Sequence, residues 1–250
     1  MSRANISKHQ PTPVGTACSR GSERCSAEFV QAALQAQADP VKANVMARYM
    51  KTDMPFYGVQ KPGRVTILRK LVQAFPPTDR EEYEALVAGL WDLPHREEKY
   101  LALGFARHFE RFVIPQSIPL YRRLIVEGAW WDFVDEIATK LIRRVVIDDP
   151  ARTWPVVDAW IDDEVMWLRR TAILCQIGAK ENTDTDRLFR FCAERAFEKE
   201  FFIRKAIGWA LREHARIDPE TVARFVSTHR EQLSALSYRE ATKHIGHLVS

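Results

Sequence analysis

Trp167-Leu-Arg-Arg170-Thr-Ala172, Phe201-Phe-Ile-Arg204-Lys-Ala206 and Leu236-Ser-Tyr-Arg239-Glu-Ala241 are three versions of one pattern: an apolar residue, two residues, Arg, any residue, Ala. Their arginines stand 34 and 35 positions apart. A period of that size with two helices per unit predicts an all-α fold, an α-solenoid superhelix of HEAT-like repeats, because each helix pair leaves an apolar face that only the next pair covers. The small Ala lets neighbouring helices approach closely. The recurring Arg would stand at equivalent places along one side of the superhelix and line a concave basic groove. Upstream, Leu90-Trp91-Asp92 and Trp130-Trp131-Asp132 lie 40 apart and are expected to open similar helices.

The rest of the chain agrees with helices. Apolar residues recur at three and four spacing in Phe29, Ala32, Ala33, Ala36, in Val41, Val45, Met46, Tyr49, and in Val134, Ile137, Leu141, Val145. No segment alternates with period two between hairpin turns. Asp39-Pro40, Thr78-Asp79, Asp149-Pro150 and Asp218-Pro219 mark helix starts, where a side-chain acceptor caps free N–H groups and Pro gives up a donor the first turn does not use. Residues 1–26 are rich in Ser, Arg, Pro and Gln and are expected to be a disordered tail ahead of a single repeat domain over 27–250.

Composition narrows the function. The 250 residues are 46% hydrophobic and 28% charged, and 10 glycines are too few for Gly-rich nucleotide folds. The net charge of +4 is weak evidence for a polyanion partner. Four cysteines without C-x-x-C spacing form neither a disulfide scaffold nor a zinc set, and Cys175 and Cys192 read as buried thiols of a cytoplasmic protein. No secretory signal and no membrane span is legible. Gly58-Val-Gln-Lys-Pro-Gly63-Arg64-Val65 approaches a phosphate-binding loop but has Arg for Lys and Val for Ser/Thr, so it reads as a loop and helix start. His244 and His247, three apart on an expected helix, lack further ligands for a metal. Asp162-Asp163-Glu164 suits a helix N-terminus.

One constellation carries chemistry. In Trp130-Trp131-Asp-Phe-Val-Asp135, Trp131 and Asp135 are four apart and share a helix face. A π surface beside a carboxylate is a cradle for a cationic group. The same spacing also fits a core Trp beside an ordinary surface acid.

Longer motifs bear on that choice. Met46-Ala-Arg-Tyr49-Met50-Lys51, Leu90-Trp91-Asp-Leu-Pro94, Trp130-Trp131-Asp-x-Val-Asp135, Trp167-Leu-x-Arg170-x-Ala-Ile173, Glu200-Phe201-Phe202-Ile-x-Lys205-Ala-Ile-Gly-Trp209-x-Leu-Arg212-Glu213 and Arg239-Glu-Ala-x-Lys243-His-Ile245 occur in this order. Over roughly residues 39–245 the chain resembles the AlkD family of HEAT-like-repeat DNA glycosylases, which act in DNA alkylation repair. The resemblance implies hydrolysis of the N-glycosidic bond of cationic alkylpurines, such as N3-methyladenine and N7-methylguanine, in duplex DNA. It implies Asp135 as the catalytic carboxylate, Trp131 and Trp209 as aromatic walls, Tyr49 as a third aromatic position, and Arg170 as an arginine touching both site and DNA backbone. Phe201 and Phe202 match an aromatic pair. Arg48, Lys51, Lys61, Arg64, Arg204, Lys205, Arg212, Arg239 and Lys243 accompany the helices as expected phosphate contacts. No metal or cofactor is implied, a monomer is expected, and recognition through sugar and backbone is expected in place of a deep base pocket. A non-catalytic HEAT-like module binding DNA or protein is the competing reading.

Overall fold

The computed structural model describes residues 18–249, all of them helices, turns and loops. The helices are α1 (Cys18–Gln35), α2 (Pro40–Met50), α3 (Lys61–Ala74), α4 (Arg80–Trp91), α5 (Arg96–His108), α6 (Ile118–Gly128), α7 (Trp131–Glu136), α8 (Arg143–Asp148), α9 (Pro150–Trp160), α10 (Met166–Leu174), α11 (Thr185–Glu194), α12 (Phe201–His214), α13 (Pro219–Thr228) and α14 (Ala235–Ala241). A π-helical segment, Ile137–Ile142, joins α7 to α8 without a break.

The caps form where the sequence places them. Asp39 accepts from the Val41 and Lys42 amides, and Asp79, Asp149 and Asp218 accept from the amides of Glu82, Arg152 and Thr221. Each such cap contributes about 1 kcal/mol by satisfying amides that the first turn leaves free.

The helices stack in two rows. In one, α3, α5, α7, α10, α12 and α14 follow one another as neighbours; α4, α6, α9 and α11 back α5, α7, α10 and α12. The repeated motif therefore falls on the second helix of each terminal pair: Arg170 on α10, Arg204 on α12, Arg239 on α14. The motif alanines Ala172, Ala206 and Ala241 are all buried, as close helix contact requires. One continuous apolar core runs from Val30 to Ile245.

Three expectations need correction. The tail boundary at 26 falls inside α1, where Ser26 is buried and donates to the Glu23 carbonyl; residues 1–17 lie outside the described residues. Leu90-Trp91 closes α4, whereas Trp131 opens α7, so these tryptophans are not equivalent. Trp91 instead packs edge-on against Phe133 at 5.3 Å and donates its indole N–H to Glu127. His244 and His247 lie beyond α14, in a turn and a 3-10 segment, both exposed.

The Gly58–Val65 loop is a helix start, but its amides are occupied from within. The Glu97 carboxylate, fully buried on α5, accepts from the amides of Tyr57 (3.1 Å), Gly58 (2.8 Å) and Val59 (3.0 Å). Gly58 has φ +89°, and a Cβ there would meet the Asp39 carbonyl oxygen at 2.1 Å. Only glycine permits that approach. Cys175 and Cys192 are fully buried and burial raises both thiols.

Candidate active site

Helix α6 ends at Gly128, where a Cβ would press on the Trp91 ring at 3.0 Å. Ala129 takes the left-handed conformation (φ 37°), and Trp130 is extended ahead of α7. This tight reversal sets the rotation of α7 and puts Trp131 and Asp135 on one face, one turn apart.

Asp135 is held at both oxygens. Arg170 Nε donates to Oδ1 at 2.8 Å and Nη2 to Oδ2 at 2.9 Å, while Nη1 donates to the Phe202 carbonyl at 2.5 Å. The Arg170 side chain is 5% exposed and that of Asp135 16%, so the carboxylate keeps an opening that the guanidinium does not. A carboxylate has about four lone-pair sites, and a bidentate arginine fills two. Burial pushes the Asp135 carboxyl above its ordinary range; Arg170 pulls it down without cancelling the shift, and nearby Asp132 adds to it. Thr139 Oγ1 donates to the Asp135 carbonyl at 2.7 Å, at the entry to the π segment. Interruptions of this kind are frequent at functional sites because they re-aim a helix face.

The aromatic surroundings differ from the expectation in part. Trp131 and Trp209 are half-buried, on α7 and α12. Phe201 is 52% exposed. Phe202 turns into a cluster: its ring lies 4.9 Å from Trp167 and 5.7 Å from Trp130, and its carbonyl anchors Arg170. It positions the arginine from inside the packing. Tyr49, 74% exposed on α2, makes no hydrogen bond or ring contact among the described residues.

The expected phosphate contacts sort into two groups. Arg48, Lys51, Lys61, Arg239 and Lys243 are exposed and form no ion pair among the described residues. The others are partly or fully buried. Lys205 and Arg212 both pair with Glu240 across α12 and α14. Arg64 donates to the Val59 carbonyl and lies 4.4 Å over the Tyr100 ring. Arg204 is half-buried, with its Nε enclosed and without a partner among the described residues. Arg170 is held on the Asp135 carboxylate and the Phe202 carbonyl, an arrangement that fits a residue that aims Asp135. These pairings follow from the stacking: a long basic side chain on one repeat reaches the acid on the next.

Several site residues escaped the reading of single motifs. Arg96, fully buried on α5, holds Asp132 through Nη2 at 2.5 Å and Nε at 3.3 Å, and the Tyr100 hydroxyl donates to the same carboxylate at 2.5 Å. One signal could have found it. Arg96–Asp132, Asp135–Arg170 and Lys205–Glu240 are 36, 35 and 35 residues apart, one repeat in each case. Opposite charges at the repeat distance mark inter-repeat ion pairs.

The fold is thus an all-helical repeat scaffold with a largely buried carboxylate, Asp135, one turn from Trp131 on α7. Residues 30–245 match the DNA alkylation repair enzyme family, and the chain belongs to it. It is similar, at 27% identity and TM-score 0.76, to a structure from Enterococcus faecalis described as a predicted DNA alkylation repair enzyme, over 83% of this chain and 96% of that one. The structure of smu.31 from Streptococcus mutans UA159 shares the fold at TM-score 0.56 and 15% identity, over 82% of this chain and 99% of that one. No curated protein matches the chain. Among the described residues, no helix is long and apolar enough to cross a membrane.

Proposed function

We propose that this DNA alkylation repair enzyme is a monofunctional, monomeric, cytoplasmic DNA glycosylase. It hydrolyses the N-glycosidic bond of cationic alkylpurines, N3-methyladenine and N7-methylguanine, in duplex DNA. The observation that carries the reading is the Asp135 carboxylate, fixed at both oxygens by a buried arginine yet partly open, one turn from Trp131.

An N-alkylated purine carries positive charge and leaves as a neutral base, so it needs no strong general acid. Bond breaking puts positive charge on the deoxyribose, as in other glycoside cleavages. Asp135 stabilises that charge and orients or deprotonates the attacking water with its free lone pairs. Trp131 and Trp209 add cation–π attraction that grows as charge develops. Neutral lesions lack the built-in leaving-group charge and are expected to be poor substrates. Sugar and backbone carry the recognition, and the base stays near the stack.

In this mechanism Arg170 keeps Asp135 ionised and aimed. Lysine offers a point charge where the guanidinium makes a planar fork. Arg170→Lys is therefore expected to slow excision by roughly 10- to 100-fold through misplaced geometry, while DNA affinity and its salt dependence stay near those of the wild type. Single-turnover release and a binding titration in a salt series separate the two. A loss of affinity equal to the loss of rate would return Arg170 to the phosphate contacts.

Phosphate binding falls to the exposed cations. Charge reversal at Arg239 and Lys243 together is expected to weaken duplex binding alike on every sequence and to lower the slope of log K against log salt by about 2. The reading itself is tested by incubating the protein with methylated duplex DNA and measuring released N7-methylguanine and N3-methyladenine. Binding without release of either base would leave a non-catalytic DNA-binding module.

A further inference from the structure

We propose that Asp132 is a positioning residue for Asp135: clamped by Arg96 and Tyr100, it fixes the rotation of α7 and places a second negative charge beside the reacting carboxylate. The proposal rests on the excision reading above and deepens it.

Two carboxylates three residues apart project from the first turns of α7, and each is taken by a buried arginine from a different neighbour. Arg96 on α5 takes Asp132 and Arg170 on α10 takes Asp135. The Arg96 guanidinium sits 4.2 Å over the Phe133 ring, so the residue between the two carboxylates is also held from α5. A helix pinned at two points along its length and from two sides cannot roll. That is a demand of the chemistry, since a 1 Å misplacement of a catalytic group costs about 100-fold in rate. The clamp also explains why a buried Arg–Asp pair, which a hydrophobic pair could replace without loss of stability, stands here and not elsewhere on α5.

The charges around Asp135 are few. Arg170 is its direct partner from α10, and Arg169 is turned to Glu198. Its own helix adds Asp132 and Glu136, the latter paired with Arg107 of α5. Besides Arg96 and Tyr100, α5 also carries Lys99, which donates to the Trp91 and Leu93 carbonyls. On α6, Arg122 pairs with Asp163, and Arg123 with Asp92 and Glu127. Lys140 lies on the π segment. Among the described residues, Asp132 is the acid whose charge adds to the burial of Asp135 and opposes its ionisation. The Tyr100 hydroxyl partly neutralises that charge.

The test reads Asp135 itself. Carbon-13 titration of the Asp135 carboxyl by NMR, in the wild type, Asp132→Asn and Tyr100→Phe, is run beside the pH profile of N7-methylguanine release. Asp132→Asn removes the neighbouring charge, so the Asp135 midpoint and the acid limb of excision are expected to move down together by roughly half a unit. Excision at the plateau falls several-fold as the clamp loosens. Tyr100→Phe leaves the ion pair and the fold in place and removes one neutralising hydrogen bond, so both midpoints move up. Midpoints unchanged in both folded variants overturn the proposal, as does an upward shift in Asp132→Asn. If Asp132→Asn fails to fold, an unmoved midpoint in Tyr100→Phe is sufficient to overturn it. A wild type that releases no alkylpurine sinks the excision reading instead, and the carboxyl titration reports on the clamp regardless.

Discussion

Asp135→Asn releases N7-methylguanine at least about 100-fold more slowly than the wild type while still binding the same duplex; that is the largest functional effect expected. Removing one preorganised electrostatic group from a transition state commonly costs 100- to 1000-fold. The amide cannot stabilise a developing cation, nor can it accept a proton from water. The substitution has a second consequence through Arg170, which is 4% exposed and loses its carboxylate partner. An uncompensated buried charge costs about 3 kcal/mol, and for a chain of this size each kcal/mol lowers the melting temperature by roughly 2–4 °C. Release is therefore measured well below the melting point, with thermal melts alongside. Wild-type rates in a folded Asp135→Asn would remove Asp135 from the chemistry.

The pH dependence carries its own sign. The proposed mechanism needs ionised Asp135, and burial raises its carboxyl above the ordinary aspartate value. The acid limb of excision is therefore expected above the range of an ordinary aspartate. The folded protein holds this proton to higher pH than the unfolded chain does. The site thus favours folding below the ordinary aspartate pKa, and that advantage is lost as pH rises through the folded value. Acid inactivation through this residue reflects protonation of the site and not unfolding.

Glu97→Ala carries the largest stability effect. The fully buried Glu97 carboxylate accepts from three consecutive amides, Tyr57, Gly58 and Val59. Alanine leaves all three without a partner in a space too enclosed for free hydration, at about 1–3 kcal/mol for each unsatisfied group. Partial relaxation and entering water reduce the sum to about 4 kcal/mol, a fall of about 10 °C in melting temperature. The loop joining α2 to α3 would loosen first, and with it the setting of α2, which carries Arg48, Tyr49 and Lys51. A denaturant melt that moves by less than 1 kcal/mol would show that water substitutes for the carboxylate.

Much of this protein was written locally. The three Arg–x–Ala motifs gave the repeat, and their alanines are the buried helix contacts. The four Asp caps stand where an acceptor and a following Pro or helix pattern place them. Helix spacing put Trp131 and Asp135 on one face. These features depend on neighbours within a few residues, so the sequence shows them directly. The π segment escaped, because Ile137, Leu141 and Val145 keep a three-and-four pattern and stay buried across it.

What the sequence could not decide was the partner of each charge. Lys205, Arg212, Arg170 and Arg239 look alike as basic residues on repeat helices, yet the first two are spent on Glu240, the third on Asp135, and the last is left to solvent. The sequence marks the glycine loop near Gly58 as a helix start, but not that Glu97, some 40 residues on, fills its amides from within. A helix turn fixes which residues share a face. Only the stacking of one repeat on the next fixes which face meets an opposite charge some 35 residues away, and so decides which charges are paired inside the solenoid and which are left to solvent.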